Sequence, residues 1–341
     1  MGYGIGKVLK RYMEYYNISG VDFAESLGIT PKHLSEIVNK NIDISDELIL
    51  AISLVTDIEV EYILKLENNK KTVRYLNNRF KNEDDLNEYL NSFYLKEMVK
   101  RSWICLTHKE NVYNNAIDML KFFKVRNFEI LDEKVNNTLF KKKEDSDSKK
   151  IITWISRCDN LAREEKVSNY IKSSIDEILL YLRKERLNDL NINGMIDYFN
   201  SKGLYLVIEP ALKGTKIRGC SKVKRDKPAI YLTTLYKDKA SFYFALYHEI
   251  GHIKKHYNKA KNKYIIDGED KLEREADDFA LNEMIPDDLW ELIIKGNEMD
   301  YINISKDNDI PMCFIVSRLA KEKYISYSSY LYNEYIEKLK I

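Results

Sequence analysis

Along most of this chain apolar residues recur every three or four positions, the spacing of helices buried on one face. In residues 5–18, Ile5, Val8, Leu9, Tyr12 and Tyr16 share one stripe. Ser19 to Thr30 predicts a short capped helix closed by a turn at Gly28. Pro31 to Asn39 predicts a second short helix that opens on proline. Asp43-Ile-Ser45 caps a third, with Leu48, Ile49, Ile52 and Leu54 as its core face. Residues 71–135 read as charged helix anchored by Trp103, Ile104, Phe122 and Phe123. The polar run Lys141 to Lys150 predicts a solvated linker, and Trp154 through Leu182 returns to helix. The period then changes to two: Gly203–Glu209 alternates as a strand, and Ile217–Ser221 and Pro228–Thr233 predict two more. Helices follow, ending in a tyrosine-rich one that runs to Ile341, with Tyr324, Tyr327, Tyr330, Tyr332 and Tyr335 expected in core or interface.

This order defines an α+β class that is mostly α. An all-α domain with the helix-turn-helix pattern spans 1–70, a helical connector 71–150, and a domain with a small β-sheet 151–341. At 341 residues there is room for two or three cores. The net charge of +1 gives no global attraction to nucleic acid or membrane, so any such binding needs a local patch. Cys105, Cys158, Cys220 and Cys313 form no CxxC pair and read as reduced, mostly buried thiols. Neither a signal peptide nor a long apolar span appears, which predicts a cytoplasmic protein with no membrane partner.

The chemistry concentrates at Phe242-Tyr-Phe-Ala-Leu-Tyr-His248-Glu249-Ile-Gly-His252. Residues four apart lie one above the other on a helix, so His248 and His252 can share one metal ion. Glu249 points about 100° around from His248, beside the metal, where a general base would take a proton from water. Two imidazoles plus one carboxylate and an open position suit catalytic Zn2+. The third ligand is sought in Lys271–Pro286, a helix on which Glu273, Ala276, Asp277, Ala280 and Met284 share a face. Glu273 is placed to ligate and Asp277 to hydrogen-bond the far nitrogen of a ligand histidine. Glu275, the alternative ligand, and Asp278 lie on other faces and are expected in solvent. His256, one turn past His252, reads as an outer or surface residue.

These motifs resemble the ImmA/IrrE family of metallo-endopeptidases, which pair an HEIGH-type helix with a later Glu-x-x-Ala-Asn/Asp, Phe-Ala and Pro. Here those are His248–His252, Glu273–Asp277, Phe279-Ala280 and Pro286, departing from the family only in the more polar Asn282-Glu283. The resemblance implies a zincin-like metalloprotease domain with zinc on His248, His252 and Glu273 and Glu249 as catalytic base. Its substrate would be a repressor or antitoxin-like regulatory protein, and residues 219–221 a substrate edge.

Phe23-Ala24, Leu27-Gly28-Ile29 and Leu34-Ser35-Glu36-Ile37 resemble Xre/HigA-type DNA-binding domains. That likeness implies operator DNA as a partner, touched by Thr30, Lys32, His33, Ser35, Glu36, Asn39 and Lys40, and a homodimer through this domain. Against it, residues 1–70 hold seven Lys and Arg but eleven Asp and Glu, a poor footprint for DNA. The alternative reading is an antitoxin-type DNA-binding repressor whose zincin domain senses a partner and cuts little or nothing.

Overall fold

The computed structural model describes residues 3–106, 111–138, 148–215, 217–224, 226–235, 237–261 and 270–339. It divides into two units, Met1–Lys121 and Phe122–Ile341. Most of the described residues are helical, and the strands form one three-stranded sheet. None of these helices is long and apolar enough to cross a membrane.

The first unit begins with α1 (Gly6–Tyr16), α2 (Gly20–Ser26), α3 (Pro31–Ser35), α4 (Asp46–Thr56) and α5 (Val60–Arg79). Hydroxyl caps set three of these starts: Ser19, Thr30 and Ser45 accept from Asp22, His33 and Leu48 backbone N–H, each worth roughly 1 kcal/mol. Gly28 takes the predicted turn at φ +65°. The helix expected to run to Asn39 stays α only to Ser35 and widens into a π turn over Glu36–Lys40. Ile5, Leu9, Phe23, Leu34, Ile37, Ile49 and Ile52 close the core. Leu54, expected on that core face, is 84% exposed. It falls about 200° from Ile52 around a helix of 3.6 residues per turn, so the two cannot face the same way. Glu67 and Lys70 form a buried ion pair, Glu67 also accepting from Ile5 N–H and Lys70 donating to the Ile42 carbonyl. Loss of Lys70 would leave the Glu67 charge buried without its cation, at about 3–5 kcal/mol, whereas Lys70 also has Asp43 at 3.4 Å. Short helices α6 (Glu83–Asn91) and α7 (Leu95–Lys100) follow, and α8 (Val112–Phe123) ends at the boundary.

In the second unit α9 (Phe128–Thr138) precedes α10 (Ser148–Glu164), α11 (Ser174–Glu185) and α12 (Ile192–Ser201). Residues 141–147 of the expected linker lie outside the described residues, and Ser148–Lys150 already belong to α10. The single helix expected over Trp154–Leu182 is two, parted at 165–173. That gap holds neither glycine nor proline, so nothing in composition marks it. The sheet is β1 (Tyr205–Ile208), β2 (Gly219–Lys224) and β3 (Lys227–Leu232) in the order β1-β3-β2, β1 parallel and β2 antiparallel to β3. β2 therefore lies at an edge.

Helices α13 (Lys239–Ala260) and α14 (Asp270–Met284) pack against each other beside the sheet. Their approach rests on small residues: a Cβ on Gly251 would stand 2.9 Å from the Phe279 ring and 3.3 Å from Ala276 Cα, and Ala276 and Ala280 are fully buried. Then come α15 (Asp287–Ile293), α16 (Glu298–Asp307), α17 (Met312–Lys321) and α18 (Tyr330–Tyr335). The last helix stops at Tyr335 rather than running to Ile341, and Lys338 forms a bridge with Asp238. Tyr324, Tyr327 and Tyr330 are exposed, not core. Cys158, Cys220 and Cys313 are buried free thiols, and Cys105 is exposed.

Candidate metal centre

Phe242, Tyr243, Ala245, Leu246, Tyr247, Ile250 and Ile253 bury most of the circumference of α13 in the core of the second unit. The polar stripe of that helix is then carried inward with it. His248 and His252 bring their Nε2 atoms to 3.1 Å from each other. From α14, Glu273 places Oε2 3.2 Å from His248 Nε2 and Oε1 3.4 Å from His252 Nε2. These three residues form a group whose donor atoms can meet on one ion. Tetrahedral zinc with ligands near 2.0–2.1 Å spaces them about 3.3 Å apart, so the donor triangle already has the size of a zinc face.

The outer nitrogens explain why the inner ones point bare at one spot. His248 Nδ1 donates to Asp277 Oδ1 at 2.8 Å. On the other side, Glu275 Oε2 accepts from His256 Nε2 at 2.8 Å, leaving His256 Nδ1 as acceptor for His252 Nδ1–H at 3.2 Å. With both Nδ1 atoms donating outward, neutral imidazoles turn lone pairs toward the Glu273 carboxylate. Three converging acceptors repel one another unless a cation sits among them. In its absence a proton does that work. Burial opposes a charge on His248, but the hydrogen bonds to Asp277 and Glu273, with the charges of Glu249 and Glu273, raise its pKa to about 10. Burial lowers the pKa of His252, and the neighbouring His248 and His256 add to this against Glu273.

Glu249 is buried beside this centre. A Cβ at Gly219, the first residue of β2, would come 2.7 Å from Glu249 Oε1, so the carboxylate fits only against a glycine. Thus Glu273 and Asp277 stand where the helix face puts them, and Glu275, its side chain 39% exposed, meets solvent as expected but also holds His256. Asp278 is exposed. From sequence, His256 read only as an outer or surface residue and 219–221 only as a substrate edge; the Glu275–His256 contact and the space that Gly219 and Gly251 leave were not read from it. The signal available for the contact was the third histidine four beyond His252.

The residues set out for DNA contact all lie on or beside α3. Thr30, Lys32, Ser35, Asn39 and Lys40 are exposed, and His33 and Glu36 half-buried. Thr30 is engaged as the cap of α3. Asn39 donates to Ser35 Oγ at 3.1 Å, and Lys40 pairs with Glu36 at 3.1 Å, which lowers the Glu36 pKa.

Residues 202–307 match the peptidase M78 family model described as the IrrE N-terminal-like domain. This stretch runs from just before β1 to the end of α16 and takes in the whole donor set. No curated protein and no solved structure matches the chain.

Proposed function

We propose that the second unit is a zinc-dependent endopeptidase acting on a protein, with His248, His252 and Glu273 holding the ion and Glu249 as general base. What carries this is the convergence of three donors 3.1–3.4 Å apart, each histidine oriented from behind. Bound there, zinc would supply Lewis acidity toward a peptide carbonyl, the fourth position being open to substrate and water. Glu249, held against Gly219, takes a proton from the attacking water on its carboxylate and passes it to the leaving amine. The free edge of β2, beginning at Gly219, supports an extended substrate strand laid alongside. The match at 202–307 supports the peptidase class. A repressor or antitoxin-like regulator is the proposed substrate, in keeping with the helix-turn-helix pattern on the same chain.

For the first unit the proposed partner is that regulatory protein rather than operator DNA. Lys40 is neutralised by Glu36 on the face that would meet phosphates, and the acidic excess of residues 1–70 opposes a polyanion.

Elemental analysis tests the centre directly. Wild type should carry about one zinc per chain, Glu273→Ala should lose it, and Glu249→Gln should retain it. Hydrolysis of a cleaved partner by Glu249→Gln should fall by about 10²–10⁴. A wild-type protein that holds no zinc and takes none up would overturn the peptidase and leave the DNA-binding regulator as the function.

A further inference from the structure

Next to the metal centre lies a cavity of about 480 Å³, walled by the start of α13, the end of α14 and the end of α17. It shares three walls with the centre. Phe244 faces it one turn before His248, the two ring centroids 6.2 Å apart. Arg218 lines it and is followed by Gly219, which packs on Glu249. Lys321 lines it within the field of Asp277, the partner of His248.

The lining mixes apolar and cationic side chains. Phe244, Leu281 and Met284 supply the apolar part, and Arg218, Lys237, Arg318 and Lys321 the charge, against Asp238 as the one carboxylate among the described lining residues. Asp238 is already committed: both its oxygens accept from Ser241, at 2.8 and 2.9 Å, as the cap of α13. Arg318 is committed too, to Glu322 at 2.9 Å and to the Trp290 ring at 4.2 Å. Lys321 differs. Its ammonium lies 4.0 Å from the Phe244 ring centroid, and burial lowers its pKa, with Arg218 adding to this and Asp277 opposing it. A cation held against an aromatic face and beside another cation is one that an incoming anion stabilises.

We infer that this cavity is a specificity subsite for an acidic side chain next to the scissile bond, a glutamate whose methylenes lie on Phe244 and Leu281 and whose carboxylate meets Lys321 and Arg218. The subsite rests on the peptidase reading of the neighbouring centre. Aspartate, one methylene shorter, covers less of Phe244 and Leu281 for the same charge.

The test uses the zinc-loaded full-length protein and peptidyl hydroxamates, which anchor on the metal and need no turnover. One compound carries a glutamate side chain, one the neutral isostere glutamine, one norleucine, and one no side chain. Calorimetric Kd values should favour glutamate over glutamine by about tenfold, or 1.4 kcal/mol. In Lys321→Met that ratio should collapse to within twofold, and in Lys321→Arg it should persist; Arg218→Met serves if Lys321→Met does not fold. Glutamine or norleucine binding as tightly as glutamate to wild type would overturn the subsite, as would a ratio unchanged in both methionine variants. The compound without a side chain reports on the centre alone. If it fails to bind zinc-loaded protein, the peptidase reading falls and the subsite with it.

Discussion

His248 and His252 occupy equivalent places in one helical motif, yet the protein treats them differently. The His248 side chain is 16% exposed and is held from behind by a single carboxylate, Asp277, itself 47% exposed. The His252 side chain is 2% exposed and is held by a second buried ring, His256, with Glu275 beyond it. A carboxylate in direct contact stabilises positive charge on its imidazole, whether proton or metal. A ring in between keeps the carboxylate farther off, so it passes on orientation with less of the charge. The opposite pKa directions, up to about 10 for His248 and downward for His252, express that difference. Two histidines of one proposed metal site can therefore differ in what they ask of an incoming cation.

The coarsest way to break the comparison is to remove a ligand. His252→Ala and His248→Ala should both reduce zinc affinity beyond the 10–100-fold typical of losing an outer partner, as measured by chelator competition. Equal losses would mean that the two sites differ only in their surroundings. Asp277→Asn comes next, expected within that 10–100-fold band. Glu275→Gln should stay near its lower end, about tenfold, because Glu275 acts only through the tautomer of His256. If Glu275→Gln proved the costlier of the two, His256 would be carrying charge and not orientation alone.

The legible part of this site was the part that one helix decides by itself. Spacing alone puts His248 above His252, and Glu273 on the same face as Asp277. The Glu275–His256 contact needs the crossing of two helices, and α13 also breaks its helical geometry at His256 (φ −121°, ψ 25°). A helical wheel drawn for either helix sends Glu275 to solvent. What Gly219 and Gly251 do was invisible for a related reason. A glycine in the sequence does not say whether it frees the backbone or vacates space, and here both vacate space, for Glu249 and for α14. In the fold, strands showed through their period of two, with edges shifted by one to three residues. The break at 165–173 did not, lying in the charged run Arg163-Glu-Glu-Lys166 that suits a helix surface as well as a loop.

The finest distinction is a proton count. With no metal, the raised His248 pKa means the folded protein binds a proton that the unfolded chain, near its ordinary 6.5, releases. That proton's stabilisation of the metal-free fold is fully present below about pH 6.5 and is lost as pH rises through about 10. Zinc takes the place of the proton, so its binding at pH 7–9 should release about one proton per ion and tighten about tenfold per pH unit. The rise in Tm that zinc gives should accordingly grow from pH 6.5 to pH 9. Asp277 favours proton and metal alike, so Asp277→Asn should release clearly less than one proton, and its affinity deficit should widen as pH rises. Glu275→Gln, which leaves the Asp277–His248 contact in place, should still release about one and show a deficit that does not change with pH. Calorimetry in buffers of different ionisation enthalpy counts the protons. A count unchanged in Asp277→Asn would place the displaced proton elsewhere than His248 and remove the asymmetry between the two ligands.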